Sequence, residues 1–212
     1  MNNPVEVELQ KSELQKRIAN NFQSSINVKS AAISVIKQPI VAASIAMFKA
    51  LSQNKKILSC GNGGSAADSQ HFVAELVNRF QIERKPLAAI SLTTDTSILT
   101  AIGNDYSYDL IFQKQVQALG QSGDIFVAIS TSGNSRNIIK AVEEAQQKDM
   151  KIILLTGNNG GKLAELMRPE DIKIQVPSTC TARIQETHIL AIHCLCDAID
   201  WQLQKTKERE TI

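Results

Sequence analysis

The stretch from Ile57 to Glu75, ILSCGNGGSAADSQHFVAE, constrains the fold more than any other part of this 212-residue chain. An apolar, strand-like run ends at Cys60, a glycine-rich turn follows, and a helical pattern begins at Ser65. Glycines let backbone N–H groups approach a ligand closely, and the N-terminus of a helix favours an anion. The order strand, glycine turn, helix therefore predicts an α/β unit that binds a phosphorylated small molecule.

Strand-like and helical segments alternate along the chain after residue 53. Five apolar runs predict strands, at residues 55–60, 86–92, 124–129, 151–156 and 172–177. Helical patterns predict six helices, at residues 65–80, 95–100, 108–119, 136–149, 162–167 and 181–205. This alternation predicts a parallel sheet with right-handed crossovers and helices on both faces. The last strand alternates polar and apolar residues and ends at Pro177, which favours a position at the sheet edge.

Two helical patterns precede the first strand, at residues 5–26 and 29–52. Pro39 is expected to begin or kink the second half of the later helix. The earlier one carries a narrow apolar stripe, at Leu9, Leu14, Ile18, Phe22 and Ile26. A local cap on the sheet would account for both helices, but their wide apolar arcs favour contact with another subunit. We interpret residues 1–52 as an oligomerisation segment and 53–205 as the core, within one domain spanning 1–212.

Charge and composition make several protein classes improbable. The net charge of +2 gives no support for a nucleic acid or an anionic membrane as partner. No uninterrupted apolar run approaches the roughly 18 residues of a membrane span, and the first 15 residues lack the apolar core of a signal peptide. The four cysteines show no disulfide or zinc-finger spacing. We expect a cytoplasmic protein with free thiols.

A second polar loop follows the buried strand that ends at Ile129. It contains four hydroxyl side chains, those of Ser130, Thr131, Ser132 and Ser135. A serine-rich turn capping a helix would explain this loop alone. However, ligands of parallel sheets bind at the carboxyl ends of strands, where the glycine turn also lies. Hydroxyls and backbone donors from both loops predict a site for a phosphate monoester, although neither a P-loop nor a dinucleotide fingerprint is present.

Candidate acid–base groups lie on two helices. His71 and Glu75 are spaced i, i+4 and share one face of the helix that follows the glycine turn. In the last helix, Gln185, Glu186 and His193 share a broad face, whereas His188 points about 140° away from His193. An exposed polar face and two buried structural histidines would explain the same pattern. The helix that carries His71 and Glu75 begins at the glycine turn, so these side chains can reach a bound ligand. This position favours a His71/Glu75/His193 site.

Three aspartates are first of all candidates for turns or helix caps: Asp68, Asp95 and Asp105. Asp105 lies in a Gly-Asn-Asp break near a strand end. It is therefore the best of the three for binding a sugar hydroxyl.

Five segments are similar to motifs of the sugar isomerase (SIS) domain family: CGNGGSAADSQHFVAEL (60–76), AIGNDYSYDLIF (101–112), ISTSGNS (129–135), LTGNNGG (155–161) and ARIQETHILAIHCLCDAID (182–200). The resemblance covers nearly the whole chain. It implies a three-layer α/β/α sandwich, Rossmann-like and of flavodoxin type, with a mostly parallel five-stranded sheet. It also implies a homotetramer whose sites are shared between subunits.

The same resemblance implies an aldose–ketose isomerase that acts on sedoheptulose 7-phosphate. Its product, D-glycero-D-manno-heptose 7-phosphate, would supply ADP-heptose for the inner core of lipopolysaccharide. Glu75 and His193 match the catalytic base and acid of the family. One zinc ion per subunit is implied, with the ligands His71, Glu75, Gln185 and His193. The matching substrate contacts are Asn62, Gly63, Gly64, Glu75, Asn104, Asp105, Ser130, Thr131, Ser132, Ser135 and Gln185.

The family also contains a non-catalytic adaptor that associates with the replication initiator DnaA. That branch is very similar to this chain in the last helix but lacks the glutamate and the second histidine. The presence of Glu75 and His193 favours the enzyme, whereas Arg136 after the polar loop is closer to the adaptor. A sugar-phosphate-sensing regulator is a third class, which is disfavoured because no segment of the sequence predicts a DNA-binding domain.

Overall fold

The computed structural model describes residues 4–210, so the ends of the predicted domain 1–212 lie outside the described residues. Five parallel strands form one sheet in the order β2-β1-β3-β4-β5. The strands are β1 (Ile57–Gly61), β2 (Ala89–Ser91), β3 (Ile125–Ser130), β4 (Lys151–Gly157) and β5 (Ile172–Val176). The order is that of the flavodoxin type, which confirms the predicted sheet and places β5 at its edge.

Seven α-helices and one 3₁₀ turn connect these strands in the part of the chain that the structure describes. The helices are α1 (Pro4–Ser52), α2 (Gly64–Val77), α3 (Thr96–Asp105), α4 (Gln113–Leu119), α5 (Arg136–Gln147), α6 (Gly161–Leu166) and α7 (Thr181–Glu210), and the 3₁₀ turn is Tyr108–Leu110.

Alternate residues of β1, β3 and β4 contribute to two separate hydrophobic cores, because successive side chains of a strand point to opposite faces. In β3, Val127 and Ile129 pack with α1, α2 and α7. Phe126 and Ala128 pack with α4, α5 and α6 on the other face. The predicted three-layer α/β/α sandwich is therefore confirmed.

The N-terminal segment is one continuous helix of 49 residues, so the prediction of two helices is wrong. No glycine or proline separates the ranges 5–26 and 29–52, and the helix continues between them. Pro39 lies inside α1 and does not begin a new helix. Proline removes one N–H donor, and the packing of neighbouring Ala43 and Met47 into the core stabilises the helix around it.

The two halves of α1 have different surroundings. Its later half packs against the sheet core, where Ala43 and Met47 are fully buried. The five apolar residues of the earlier stripe are all exposed, and Phe22 is 70% exposed. Contiguous exposed apolar side chains on a soluble chain are typical of a protein–protein interface.

Helix α1 is also long and apolar enough to cross a membrane, judged by length and composition alone. The expectation from the sequence concerns uninterrupted apolar runs, whereas polar residues interrupt the apolar pattern of α1. Core helices of soluble proteins can have the same length and composition, and Ala43 and Met47 of α1 belong to the core described above. The helix therefore gives weak evidence for a membrane segment.

Several element boundaries differ from the predicted ones. Helix α3 continues through Asp105, although a break was predicted at Gly103. The predicted helix 108–119 is a 3₁₀ turn followed by α4, and α7 extends to Glu210. The predicted strand 86–92 is reduced to the three residues of β2. The other elements agree within a few residues, and all four cysteines are free thiols as predicted.

The pairing of β1 with β3 brings the two polar loops together. Gly61, the last residue of β1, is in register with Ile129 of β3. Since the strand order reverses between these two strands, their carboxyl ends form the topological switch point of the sheet. The glycine turn and the serine-rich loop thus border one crevice.

Candidate functional site

The glycine turn places the start of α2 directly against α7. Gly63, with φ 56°, precedes the first helical residue, Gly64. A Cβ atom on Gly64 would lie 2.4 Å from Nε2 of Gln185. Only glycine allows this approach, so the turn sequence determines how closely Gln185 meets the N-terminus of α2.

The predicted acid–base residues converge on one point between α2 and α7. Nε2 of His71 lies 2.9 Å from Nε2 of His193, and 3.5 Å from Oε1 of Glu75. Phe80 stacks on the His193 ring, with the ring centroids 5.7 Å apart. The structure therefore brings together the three residues that helical spacing suggested, and fixes the orientation of one imidazole by an aromatic contact.

The donor set of this cluster suits zinc, which binds imidazole nitrogen and carboxylate oxygen. Within residues 4–210, no three histidine, cysteine, aspartate or glutamate side chains form a ready-made metal site. The two Nε2 atoms, 2.9 Å apart, contact each other directly. Two nitrogen ligands of a tetrahedral zinc ion lie about 3.3 Å apart, so an opening of roughly half an ångström would admit the ion. The chemistry of these donors fits the metal.

A buried ion pair between Arg84 and Asp200 lies next to this cluster. Nε of Arg84 lies 2.7 Å from Oδ1 of Asp200 on α7, and both side chains are almost fully buried. The same guanidinium donates to the backbone carbonyls of Glu75 and Leu76, at 2.7 and 2.8 Å. These carbonyls belong to the last turn of α2, where carbonyl groups receive no hydrogen bond from an N–H group of the same helix. Arg84 therefore ties the backbone of Glu75 to α7.

The second polar loop, residues 130–135, is the serine-rich loop. Its hydroxyl groups bond to each other and to the loop backbone. Oγ of Ser130 lies 3.3 Å from Oγ of Ser135, and the Gly133 N–H donates to Ser130 at 3.2 Å. Gly133 has φ 65°, and a Cβ atom there would lie 1.8 Å from the carbonyl oxygen of Gly160. The loop ends at the N-terminus of α5, with Thr131 and Ser132 at its tip. The hydroxyls of Ser130 and Ser135 therefore lie together at the N-terminus of α5, which is the arrangement that an anion site requires.

Asn62 of the glycine turn is held by two neighbours. Its carboxamide exchanges two hydrogen bonds of 2.9 Å with the carboxamide of Asn137 on α5. The Tyr108 hydroxyl donates to Oδ1 of Asn62 at 3.2 Å. This network connects the turn to the start of α5, which follows the serine-rich loop, and to the segment after α3.

Asn104 and Asp105 lie at the end of α3 and are exposed. Nδ2 of Asn104 donates to Oδ1 of Asp105 at 2.9 Å. The two side chains thus contact each other. Their role as substrate contacts stays a prediction.

Asp68 lies near the cluster, although the sequence indicates only a turn or cap residue there. It lies one turn before His71 on α2, and within residues 4–210 its Oδ2 atom is buried without a hydrogen-bond partner. Burial raises the pKa of Asp68 to about 6, and the nearby His71 partly offsets this. The i, i+3 spacing of Asp68 and His71 is the signal that would have indicated it.

Two other candidates of α7 lie outside the cluster. His188 is fully buried, and its Nε2 lies 3.1 Å from the carbonyl oxygen of Thr156. Burial lowers the pKa of His188 to about 4, so this histidine is neutral in the core. Glu186 accepts a hydrogen bond from Arg183 at 2.6 Å. The predicted orientation of His188 away from His193 is consistent with these contacts.

The family model, the similar sequences and the similar structures agree with one another. Residues 21–157 match the SIS domain family. The phosphoheptose isomerase of Dechloromonas aromatica (strain RCB) is 59% identical over 184 residues, which cover 87% of this chain and 94% of that protein. The structure of phosphoheptose isomerase from Neisseria gonorrhoeae superposes with a TM-score of 0.85 at 53% identity, over 88% of this chain and 98% of that one. That of Francisella tularensis gives 0.86 at 46% identity, with the same coverage.

Proposed function

The chain belongs to the SIS domain family, and we propose that it is a phosphoheptose isomerase that converts sedoheptulose 7-phosphate into D-glycero-D-manno-heptose 7-phosphate. One observation supports this most strongly. A carboxylate and two imidazoles, those of Glu75, His71 and His193, meet between α7 and the helix that begins at the glycine turn, and this turn is hydrogen-bonded to α5, the helix that follows the serine-rich loop. An aldose–ketose isomerase needs a base, a proton carrier and an anchor for phosphate, and this crevice offers all three.

The phosphate of the substrate binds in the serine-rich loop. The hydroxyls of Ser130 and Ser135 already face each other, and Thr131 and Ser132 extend the loop tip. The α5 N-terminus adds a positive dipole end, which favours a phosphate dianion. With the phosphate fixed there, the sugar extends past Asn62, Gly63 and Gly64 toward α7.

Proton transfer is carried out by Glu75 and His193. Glu75 removes a proton from C1 of the ketose, the C1–C2 bond becomes an enediol, and the same carboxyl returns the proton to C2. His193 moves a proton from the C1 hydroxyl to the C2 oxygen, so that a carbonyl forms at C1 and a hydroxyl at C2. Each such acid–base step contributes roughly 10²–10⁴-fold to the rate.

Zinc is part of the proposal, held by His71, Glu75, Gln185 and His193. When bound, it supplies a Lewis acid that polarises substrate oxygens. Gln185 contacts Gly64 at the N-terminus of α2, whereas His71 and Glu75 lie two to three turns further along that helix. Its inclusion rests on the match with the family, since glutamine is an uncommon zinc ligand. Because a metal-bound carboxylate would be a weaker base, Glu75 would act on the C1 proton as a free carboxylate.

The proposal includes a cytoplasmic homotetramer with sites at subunit interfaces. It is supported by the exposed apolar side chains along the first half of α1, among them Leu14, Ile18 and Phe22. Such a stripe is stabilised when a second copy covers it. The product is a precursor for ADP-heptose and the inner core of lipopolysaccharide.

Turnover of sedoheptulose 7-phosphate by the purified protein tests the function. An aldoheptose phosphate should form, and Glu75→Gln should abolish its formation because the amide cannot accept the C1 proton. Glu83→Gln is the matched control, since Glu83 is exposed and pairs only loosely with Arg79 at 3.7 Å. No turnover by the unaltered protein, with phosphate still bound, would contradict the isomerase. Capture of the initiator DnaA by both unaltered and Glu75→Gln protein would then support the adaptor.

A further inference from the structure

We propose that Asn137 and Tyr108 are positioning residues for the isomerisation. By fixing the carboxamide of Asn62, they hold the glycine turn, which binds the sugar, in register with the serine-rich loop, which binds the phosphate. This inference rests on the proposed function, because register matters only if one substrate spans both segments.

The side-chain amides of Asn62 and Asn137 bind each other reciprocally. Nδ2 of Asn62 donates to Oδ1 of Asn137, and Nδ2 of Asn137 donates to Oδ1 of Asn62, both at 2.9 Å. A reciprocal pair of this kind fixes both the separation and the relative orientation of two side chains. Asn137 is 3% exposed, so water does not compete effectively for these bonds.

Asn62 has little hydrogen-bonding capacity left for a substrate. Its Oδ1 has two lone pairs, and both are used, one by Asn137 and one by Tyr108. Its Nδ2 has two hydrogens, of which Asn137 takes one. The side chain of Asn62 can therefore give at most one hydrogen bond to a substrate without losing another. Its main contribution is to connect segments of the protein.

The segments that this hydrogen-bond network connects lie near the two ends of the proposed substrate. Asn137 is the second residue of α5 and follows the phosphate-binding hydroxyl of Ser135 by two positions. Asn62 precedes Gly64 by two positions, and Gly64 is in close contact with Gln185 on α7. The phosphate and the reacting carbons lie at opposite ends of a seven-carbon chain. A displacement of one loop against the other would therefore misplace C1 relative to Glu75.

Tyr108 adds a third segment to this network. It belongs to the 3₁₀ turn after α3, and it is 62% exposed although its hydroxyl is bound to Asn62. Removal of that hydroxyl leaves the buried cores unchanged. Tyr108→Phe is thus a test that does not endanger folding, whereas changes at buried Asn137 alter a packed position.

The test compares Asn137→Asp and Tyr108→Phe with the unaltered enzyme. Asn137→Asp keeps the shape but places a carboxylate oxygen against Oδ1 of Asn62. We expect kcat/KM for sedoheptulose 7-phosphate to fall by about 10- to 100-fold, since a misplacement of about 1 Å costs a rate of that order. Tyr108→Phe should lower kcat/KM by a few-fold. Tyr106→Phe, an equally exposed neighbour whose ring contacts Lys114, is the matched control.

Two readouts separate positioning from a general structural defect. The inhibition constant of inorganic phosphate should change less than twofold in both variants, because the serine-rich loop keeps its own hydrogen bonds. In Asn137→Asp, the loss of kcat/KM relative to the unaltered enzyme should shrink at lower pH, where the protonated carboxyl can again donate to Asn62.

The outcomes are distinguishable. Unaltered kcat/KM in Tyr108→Phe and in a folded Asn137→Asp would overturn the inference and leave the isomerase intact. A parallel loss of phosphate inhibition would also overturn it, because the network would then only shape the phosphate loop. If Asn137→Asp does not fold, Tyr108→Phe with its Tyr106→Phe control decides. Absence of turnover in the unaltered protein would overturn the proposed function itself.

Discussion

Nε2 of His71 and Nε2 of His193 lie 2.9 Å apart, although the two histidines are 122 positions apart in the chain. At this distance one imidazole must donate and the other accept, because two protonated rings would repel each other. Oε1 of Glu75 lies 3.5 Å from the same atom of His71. Three groups that bind either a proton or a metal ion are therefore directed at one point.

The first prediction is that this point binds zinc. Protein purified without chelator should contain about one zinc ion per chain by elemental mass spectrometry, bound through nitrogen and oxygen donors. His71→Gln and His193→Gln should each leave the zinc content far below one ion per chain. His188→Gln is the control, since that histidine bonds Thr156 in the core. Equal zinc loss in all three variants, or none in the first two, would contradict the assignment.

The second prediction concerns Gly64, whose absent Cβ leaves room for Gln185. Gly64→Ala places a methyl group 2.4 Å from Nε2 of Gln185. The clashing atom is the end of a flexible side chain, so Gln185 should move while the fold remains, with a stability change within about 1 kcal/mol. We expect kcat/KM to fall about tenfold or more, measured beside the unfolding midpoint.

Gly103→Ala serves as the control for this glycine variant. A Cβ atom on Gly103, within α3, would meet no atom within 4 Å. Alanine is the better helix former, so this change should leave activity unaltered and slightly raise stability. Wild-type activity in Gly64→Ala would show that the position of Gln185 does not matter to turnover.

How far the sequence predicted the fold depended on how each element is buried. β3 and β4 are covered on both faces, so their apolar runs identified them within one residue. Helix α1 was divided wrongly because its apolar pattern changes along its length, while no residue between 26 and 29 stops a helix. The apolar side chains of the stripe around Phe22 are left exposed by the described part of the chain. A single sequence does not reveal which surface covers them.

The candidate site was predictable where one helix carries it. His71 and Glu75 share a helical face, and spacing alone paired them. The bond between Asn62 and Asn137 spans 75 positions and depends on the pairing of β1 with β3, which no local pattern encodes. The contact of Arg84 with Asp200 is of the same kind, 116 positions apart.

The third prediction is that Arg84 stabilises the cluster through Asp200. Arg84→Met leaves the buried carboxylate of Asp200 without its cation, and it removes donors from the carbonyls of Glu75 and Leu76. Breaking one partner of a buried pair costs about 3–5 kcal/mol, so the urea midpoint should fall markedly. Adding Asp200→Leu should recover part of this stability. A midpoint equal to that of the unaltered protein would show the pair to be dispensable.

The fourth prediction is a loss of stability in acid that is specific to His188. Its pKa is lowered to about 4 by burial, whereas an unfolded histidine titrates near 6.5. Between these values the unfolded chain binds a proton that the native core does not, so stability falls as the pH is lowered through this window. The full effect is on the order of 3 kcal/mol, from about 1.4 kcal/mol per pKa unit.

His188→Gln isolates this contribution, because glutamine retains a donor for the Thr156 carbonyl but does not titrate. Both proteins should lose stability in acid through their other groups, so the difference between their urea unfolding free energies is the informative quantity. That difference should favour the unaltered protein above pH 6.5 and shrink steadily toward pH 4. A difference that stays constant over this range would show that the native core accepts a proton at His188 as readily as the unfolded chain does.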